Sequence, residues 1–114
     1  MIVGRLSPVE LGRFTRVPLP DRARARVVLA PWLPSAIDAI TLGRCIVVRR
    51  GLERDRTLLT HELVHVRQWR ELGVARFLAR YLGAYARGRS RGLAHHDAYA
   101  AIPLECEARA VAGR

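Results

Sequence analysis

Two histidines and a glutamate stand close together near the middle of the chain, in the sequence His61-Glu62-Leu63-Val64-His65. On a helix, residues four apart lie on the same face, so both imidazoles can reach one metal ion. Glu62 is turned by about 100° from His61 and reaches a water in an open coordination position instead. Zinc lowers the pKa of such a water toward neutrality, and a carboxylate can then take its proton. The spacing predicts a zinc hydrolase site with Glu62 as general base; the alternative is an ordinary surface helix.

The segment that carries this motif has the apolar spacing of a helix. Asp55 can cap its start and Gly73 can end it, which predicts a helix over residues 55–72. A second helix is predicted over residues 74–86, and a last one from Pro103 to Ala112, because proline is tolerated at the first helical position. The arginine- and glycine-rich tract at residues 87–92 is predicted as a loop.

The elements before the motif are predicted as a small sheet. A short strand is predicted within residues 22–30, and Pro31 stops it. Two runs rich in β-branched residues, 39–42 and 45–49, flank Gly43-Arg44 as a hairpin does. Residues 1–20 contain three prolines and are expected to be an irregular lead-in. A small sheet followed by helices is an α+β arrangement, and 114 residues suit one domain over 1–114.

The stretch Thr60-His61-Glu62-Leu63-Val64-His65-Val66-Arg67-Gln68 resembles the zincin metallopeptidases. It is most similar to the short HEL-x-HV-x-Q variant of small metallopeptidase-like domains of the DUF4157 kind. Arg67 departs from the broad zincin signature, which has a hydrophobic residue there. The resemblance spans residues 39–112 at most and implies a minimal zincin fold, Zn²⁺ as cofactor and a peptide or protein substrate.

A catalytic zinc takes a third protein ligand, and several downstream residues could supply it. The metzincin arrangement is absent, because no histidine follows Gly73. The gluzincin form, in which a glutamate on a later helix completes the site, fits Glu105. Ala108 shares its helical face and permits close approach, whereas Glu107 is turned about 200° away. Glu105 is therefore favoured over Glu107, while the other downstream candidates are His95, His96, Asp97 and Cys106.

Other residues are candidates for supporting roles implied by the resemblance. Tyr99, His96 or His95 could hydrogen-bond a developing oxyanion, or a histidine could replace Glu105; the alternative is that this stretch only precedes or caps the last helix. Gln68 shares the metal face and is either a hydrogen-bond partner of a ligand or an ordinary polar position. In zincins a strand beside the active-site helix pairs with substrate, and residues 45–49 are the candidate for that edge; the alternative is that they form a core strand.

The charge of the chain favours other partners only weakly. The net charge is +10, yet all twenty basic residues are arginine, a bias that GC-rich coding also produces. Specific nucleic-acid binding is therefore not expected, although an arginine-rich nucleic-acid binder is one alternative function. Another is a non-catalytic zinc-binding module that docks on a larger assembly or partner chain. No transmembrane segment or signal peptide is visible, and Cys45 and Cys106 are expected as reduced thiols of a cytoplasmic protein.

Overall fold

The computed structural model describes residues 2–6, 12–30, 32–34 and 37–113, and these form an α+β fold. The four strands are β1 (Ile2–Arg5), β2 (Arg26–Leu29), β3 (Ala39–Leu42) and β4 (Cys45–Val48). The helices are α1 (Leu19–Arg24), α2 (Arg56–Ser90), α3 (His95–Ala100) and α4 (Pro103–Ala112). The fold class predicted from the sequence is thus confirmed.

The expectation of an irregular lead-in over residues 1–20 was wrong where β1 and the start of α1 form, while residues 14–18 are irregular and residues 1 and 7–11 lie outside the described structure. Strand β1 pairs antiparallel with β2, and helix α1 begins directly after Pro18, with Pro20 in its first turn. Proline is compatible with the first turn because the N–H groups there have no partner within the helix. Strand β2 consequently begins at Arg26, since the preceding residues 19–24 are helical.

The hairpin is confirmed, but the prediction that residues 45–49 form a sheet edge was wrong. The strand order is β1-β2-β4-β3, so β4 lies inside the sheet, parallel to β2 and antiparallel to β3. Ile46 and Val48 on β4 are fully buried, as expected for a central strand. The strand that closes this side of the described sheet is β3.

Asp55 caps the start of helix α2: its carboxylate accepts a hydrogen bond from the Leu58 N–H at 3.0 Å. Gly73 then takes φ 77° and ψ 168°, a conformation that is nearly restricted to glycine, and breaks α2 into two arms. We call residues 56–72 the N-terminal arm and residues 74–90 the C-terminal arm. The predicted cap and the predicted break are therefore both confirmed.

The C-terminal arm extends further than predicted, because residues 87–90 of the arginine- and glycine-rich tract are helical rather than a loop. A Cβ on Gly88 would lie 3.0 Å from that of Ala98, so the glycine lets α3 pack tightly against the end of α2. This contact lies ten residues away along the chain and was not visible as a local pattern.

The core lies between the sheet and the N-terminal arm of α2. Its buried apolar residues come from the lead-in, the sheet, α2 and α4: Leu6, Phe14, Val17, Ala25, Val27, Ile46, Val48, Leu59, Leu63, Val64, Val66 and Ala108. The N-terminal arm is therefore held between the sheet on one side and α4 on another. Among the described residues, no helix combines the length and apolar character needed to cross a membrane. Cys45 and Cys106 are both free thiols.

Candidate metal centre

The contact between α2 and α4 brings His61, His65 and Glu105 into one cluster. The Glu105 carboxylate lies between the two imidazoles, with Oε1 2.8 Å from His61 Nε2 and Oε2 3.1 Å from His65 Nε2. One potential ligand atom from each of the three residues lies within 4.8 Å of the others. His65 and Glu105 are buried and His61 is nearly so. These are the three residues favoured from the sequence as metal ligands.

Helix α4 presents Glu105 rather than Glu107 to the histidines. Ala108, three residues after Glu105, is fully buried, and its small side chain allows α4 to lie close against α2. Glu107 has a half-exposed side chain and accepts hydrogen bonds from Gln68 at 2.7 Å and from Arg67 at 2.7 Å. The preference for Glu105 as the residue facing the histidines is thus matched by its position.

Gln68 orients the ring of His65. Its side-chain amide N–H groups donate to the Leu104 carbonyl at 3.0 Å and to Glu107 at 2.7 Å, which fixes the amide so that Oε1 faces His65. That oxygen accepts from His65 Nδ1 at 2.8 Å. Protonated His65 donates from Nδ1 to Gln68 and from Nε2 to Glu105. When His65 is neutral, the contact with Gln68 keeps the remaining proton on Nδ1, so Nε2 is the nitrogen whose lone pair can bind a metal. Gln68 is one of the residues singled out from the sequence, and the structure places it next to His65.

Glu62 is buried beside the cluster, with 6% of its surface exposed. Its carboxylate accepts a hydrogen bond from the Thr41 hydroxyl at 2.9 Å, and the Thr41 carbonyl accepts one from the Trp69 indole at 3.2 Å. Burial raises the pKa of Glu62 above its ordinary value, against the lowering effects of His65 and of the Thr41 hydrogen bond. Strand β3 therefore positions this carboxylate from the sheet side.

Glu105 is ionised despite its burial. Desolvation alone would raise its pKa, but the hydrogen bonds from His61 and His65, together with one from Tyr81, hold that pKa well below its usual range. For His65, burial alone would lower the pKa, but the hydrogen bond and the charge of Glu105 raise it above its ordinary value. The cluster thus combines a carboxylate anion with an imidazole, that of His65, whose charged form the anion stabilises.

Two phenols line the Glu105 side of the cluster. Tyr81 donates to Glu105 Oε2 at 2.5 Å, and Tyr99 interacts with the same carboxylate while remaining 40% exposed. Burial and the negative charge of Glu105 raise the pKa of both hydroxyls, so both remain protonated donors at neutral pH. Tyr99 was singled out from the sequence, and the structure brings it to the site.

His95 and His96 are not part of the cluster. Both are exposed residues at the start of α3, and His95 Nδ1 lies 2.8 Å from the Tyr85 hydroxyl. Their proposed roles at the centre therefore find no contact in the described residues. Asp97 is likewise exposed, and Cys106 contacts the Ala100 carbonyl and Arg109.

Thr41 and Tyr81 are the residues of the site that the sequence did not single out. Thr41 is the buried residue of β3. Within the strand sequence, it is marked only as the one polar residue of the run Ala39–Leu42. Tyr81 is the last ring of an aromatic stack that crosses the break at Gly73. Its ring centroid lies 5.5 Å from that of Phe77, which in turn lies 3.9 Å from that of Trp69. The contact partners of both residues are distant in sequence, so only the fold shows them.

The residues of the cluster fit a divalent transition metal. Two imidazole nitrogens and one carboxylate oxygen form a donor set that suits zinc, and the atoms now in mutual contact are those such an ion binds. Gln68 and Tyr81 supply the outer hydrogen bonds that metal-bound histidine and carboxylate usually have. Comparison with protein-family models, with curated proteins and with solved structures finds no match for this chain.

Proposed function

We propose that this protein is a zinc-dependent metallopeptidase of the gluzincin type, with His61, His65 and Glu105 as metal ligands and Glu62 as general base. The observation that carries the proposal is the position of Glu105. A glutamate 44 residues beyond His61 lies 2.8 Å from it, on the face that both motif histidines share. A surface helix with an incidental motif would have no reason to bury this carboxylate against both imidazoles.

The donor set supports zinc and leaves room for a reaction. His61, His65 and Glu105 would hold the ion with three ligands and would leave a coordination position for water, as in catalytic rather than structural zinc sites. When bound there, zinc supplies Lewis acidity and lowers the pKa of a coordinated water to about 7.

Glu62 is the residue that moves the proton. Its carboxylate accepts the proton of the attacking water and then delivers it to the nitrogen of the leaving amine. The raised pKa of Glu62 brings it closer to neutral pH, where a group that both accepts and donates a proton works best. The Thr41 hydroxyl at 2.9 Å keeps the carboxylate in a fixed orientation.

The phenols and strand β3 support substrate binding. Tyr99, protonated and partly exposed, can donate to the oxygen that gains negative charge during attack on the peptide carbonyl. Tyr81 donates to Glu105 and holds that carboxylate in place. The outer side of β3 pairs with no strand in the described residues, so an extended peptide can add there next to Thr41.

The burial of the cluster favours a second candidate, a zinc-binding module without turnover. Side-chain exposure is 12% for His61, 6% for His65 and 3% for Glu105. An ion in such a buried position would tie α2 to α4 and could serve stability alone. The docking partner would then be a larger assembly.

Substitution of Glu62, the proposed general base, distinguishes the peptidase from the module without turnover. We expect the wild-type protein, loaded with one zinc, to cleave members of a fluorescence-quenched peptide library, and Glu62→Gln to keep its zinc and fold but to lose about 10²-fold or more in kcat/KM. Glu71→Gln makes the same change at an exposed position of the same arm and should retain full activity. Equal cleavage by wild type and Glu62→Gln would contradict the mechanism. Zinc binding without cleavage of any peptide would favour the module.

A further inference from the structure

A second polar site lies at the start of α2, where its first turn meets residues 13–16 and the end of α4. A cavity of about 260 Å³ opens there. Its lining includes three arginines and three threonines: Arg13, Arg16, Arg56, Thr15, Thr57 and Thr60. The arginines come from two segments about forty residues apart, so the fold rather than a local run of basic residues assembles the group.

The described lining of the cavity contains no acidic residue to balance its arginines. Asp55 directly precedes Arg56, but it does not line the cavity, and its carboxylate accepts the hydrogen bond from the Leu58 N–H that caps α2. The guanidinium groups of Arg13 and Arg56 make no hydrogen bond or ion pair with any residue that the structure describes. Arg16 donates to the Val111 carbonyl at 3.0 Å, which fixes its guanidinium beside α4 and leaves its other N–H groups available. Three guanidinium groups around one cavity repel each other unless an anion lies among them.

We propose that this cavity binds a small oxyanion of the phosphate class, either free phosphate or a phosphate monoester. Arginine donates paired N–H groups that match two oxygens of a phosphate, and the hydroxyls of Thr15 and Thr57 can donate to the remaining oxygens, whereas the Thr60 hydroxyl donates to the Arg56 carbonyl. The volume lies just below the range of about 300–1,000 Å³ for pockets that hold drug-sized ligands. It therefore suits a compact ligand better than a nucleic-acid strand.

The phosphate site is separate from the metal centre. Ala112, which lines the cavity, lies seven residues after Glu105, or about 10 Å along α4. Thr57 lies four residues before His61, or about 6 Å along α2. Thr60, which also lines the cavity, directly precedes His61 in the chain, but none of the three metal-cluster residues is among the described lining residues. The proposal thus does not depend on zinc binding or on peptidase activity.

Titration of the full chain with inorganic phosphate tests the proposal, by calorimetry and by thermal unfolding at constant ionic strength adjusted with sodium chloride. We expect saturable binding and a Tm that rises with phosphate, because a ligand of the folded state stabilises it by mass action. Arg13→Gln and Arg56→Gln should each weaken the affinity by about tenfold or more, since each removes charged hydrogen-bond donors. Arg80→Gln is the matched control, an exposed arginine on the C-terminal arm that should bind like wild type.

Further measurements distinguish the possible ligands and locate the site. Tighter binding of glycerol 3-phosphate than of inorganic phosphate would assign the site to a monoester, and the reverse would assign it to the free ion. Amide NMR shifts upon phosphate addition should concentrate at Thr57 and Thr60. No saturation by 10 mM phosphate, equal losses in all three variants, or an equal effect of chloride would overturn the proposal, as would tight binding of a short DNA duplex that phosphate does not displace.

Discussion

The two arms of α2 have similar apolar spacing but very different surroundings. The N-terminal arm buries eight residues, among them Glu62, His65 and Gln68, whereas the C-terminal arm buries only Phe77 and Gly88. Val74, Leu78 and Leu82 on the C-terminal arm are between 40% and 64% exposed. The sheet and α4 enclose the N-terminal arm, and no sheet covers the C-terminal arm in the described structure. Apolar spacing therefore predicts a helix, while the number of packed neighbours decides where polar chemistry can be held in place.

The C-terminal arm nevertheless contributes to the candidate metal centre through one aromatic stack. Phe77 lies between Trp69 of the N-terminal arm and Tyr81, which donates to Glu105. The break at Gly73 lets the chain change direction so that this stack forms across it. The comparison of the arms thus yields a division of roles: one arm carries the candidate ligands, and the other supports them from one side.

Truncation of one leucine in each arm should give the largest contrast in stability. Leu63→Ala removes a side chain that is 1% exposed and should lower the free energy of unfolding by about 2–5 kcal/mol. Leu82→Ala, at 58% exposure, should change it by less than about 0.5 kcal/mol. Urea denaturation of both variants measures this difference. Equal losses would show that the two arms are packed alike.

Substitution of Gly73 should have the next largest effect on stability. Gly73→Ala places a Cβ on backbone at φ 77° and ψ 168°, which should cost about 1–3 kcal/mol although no atom lies within 4 Å of that Cβ. Gly83→Ala is the control inside the C-terminal arm, where helical backbone and an ordinary 3.6 Å contact with Arg87 should make alanine stabilising by about 0.5–1 kcal/mol. The Tm values of the two variants measure this difference. If both substitutions raised the Tm, the helix would be unbroken at Gly73 and its backbone there unstrained.

Loss of the amide that orients His65 should have a smaller and more specific effect. Gln68→Ala should weaken zinc binding roughly 10- to 100-fold, as is typical when a hydrogen-bond partner of a metal ligand is removed. Ser90→Ala, which removes a polar group from the end of the C-terminal arm, should leave the zinc affinity unchanged. Competition with a chromogenic chelator measures both. An unaltered affinity of Gln68→Ala would mean that the amide does not prepare His65 for metal.

Local patterns in the sequence were sufficient for several elements. The hairpin at residues 39–48, the Asp55 cap, the Gly73 break and the start of α4 at Pro103 all follow from turn and capping chemistry within a few residues. The grouping of His61, His65 and Glu105 was also predicted: helical spacing paired the two histidines, the resemblance to gluzincins suggested a later glutamate, and the small Ala108 favoured Glu105 over Glu107.

The remaining features depend on contacts between distant parts of the chain. The parallel pairing of β2 with β4 places residues 45–48 inside the sheet, and nothing within that run distinguishes a central strand from an edge. Helix α2 continues through Arg87 and Gly88 because α3 packs against it, which overrides the loop preference of the tract. Thr41 and Tyr81 reach the site across 21 and 24 residues, so their roles appear only in the folded chain.

Zinc titration of the purified protein, with Glu105→Ala and Glu107→Ala beside the wild type, tests the central claim most directly. We predict one zinc per wild-type chain, and a Tm that falls when a chelator removes it, because the ion joins α2 to α4. Loss of a residue that only hydrogen-bonds to a metal ligand typically lowers metal affinity roughly 10- to 100-fold. Glu105→Ala should lower the zinc affinity by more than this, and Glu107→Ala should lower it by no more than this. A wild-type protein that binds no zinc, or a Glu107→Ala variant that loses zinc while Glu105→Ala keeps it, would contradict the account.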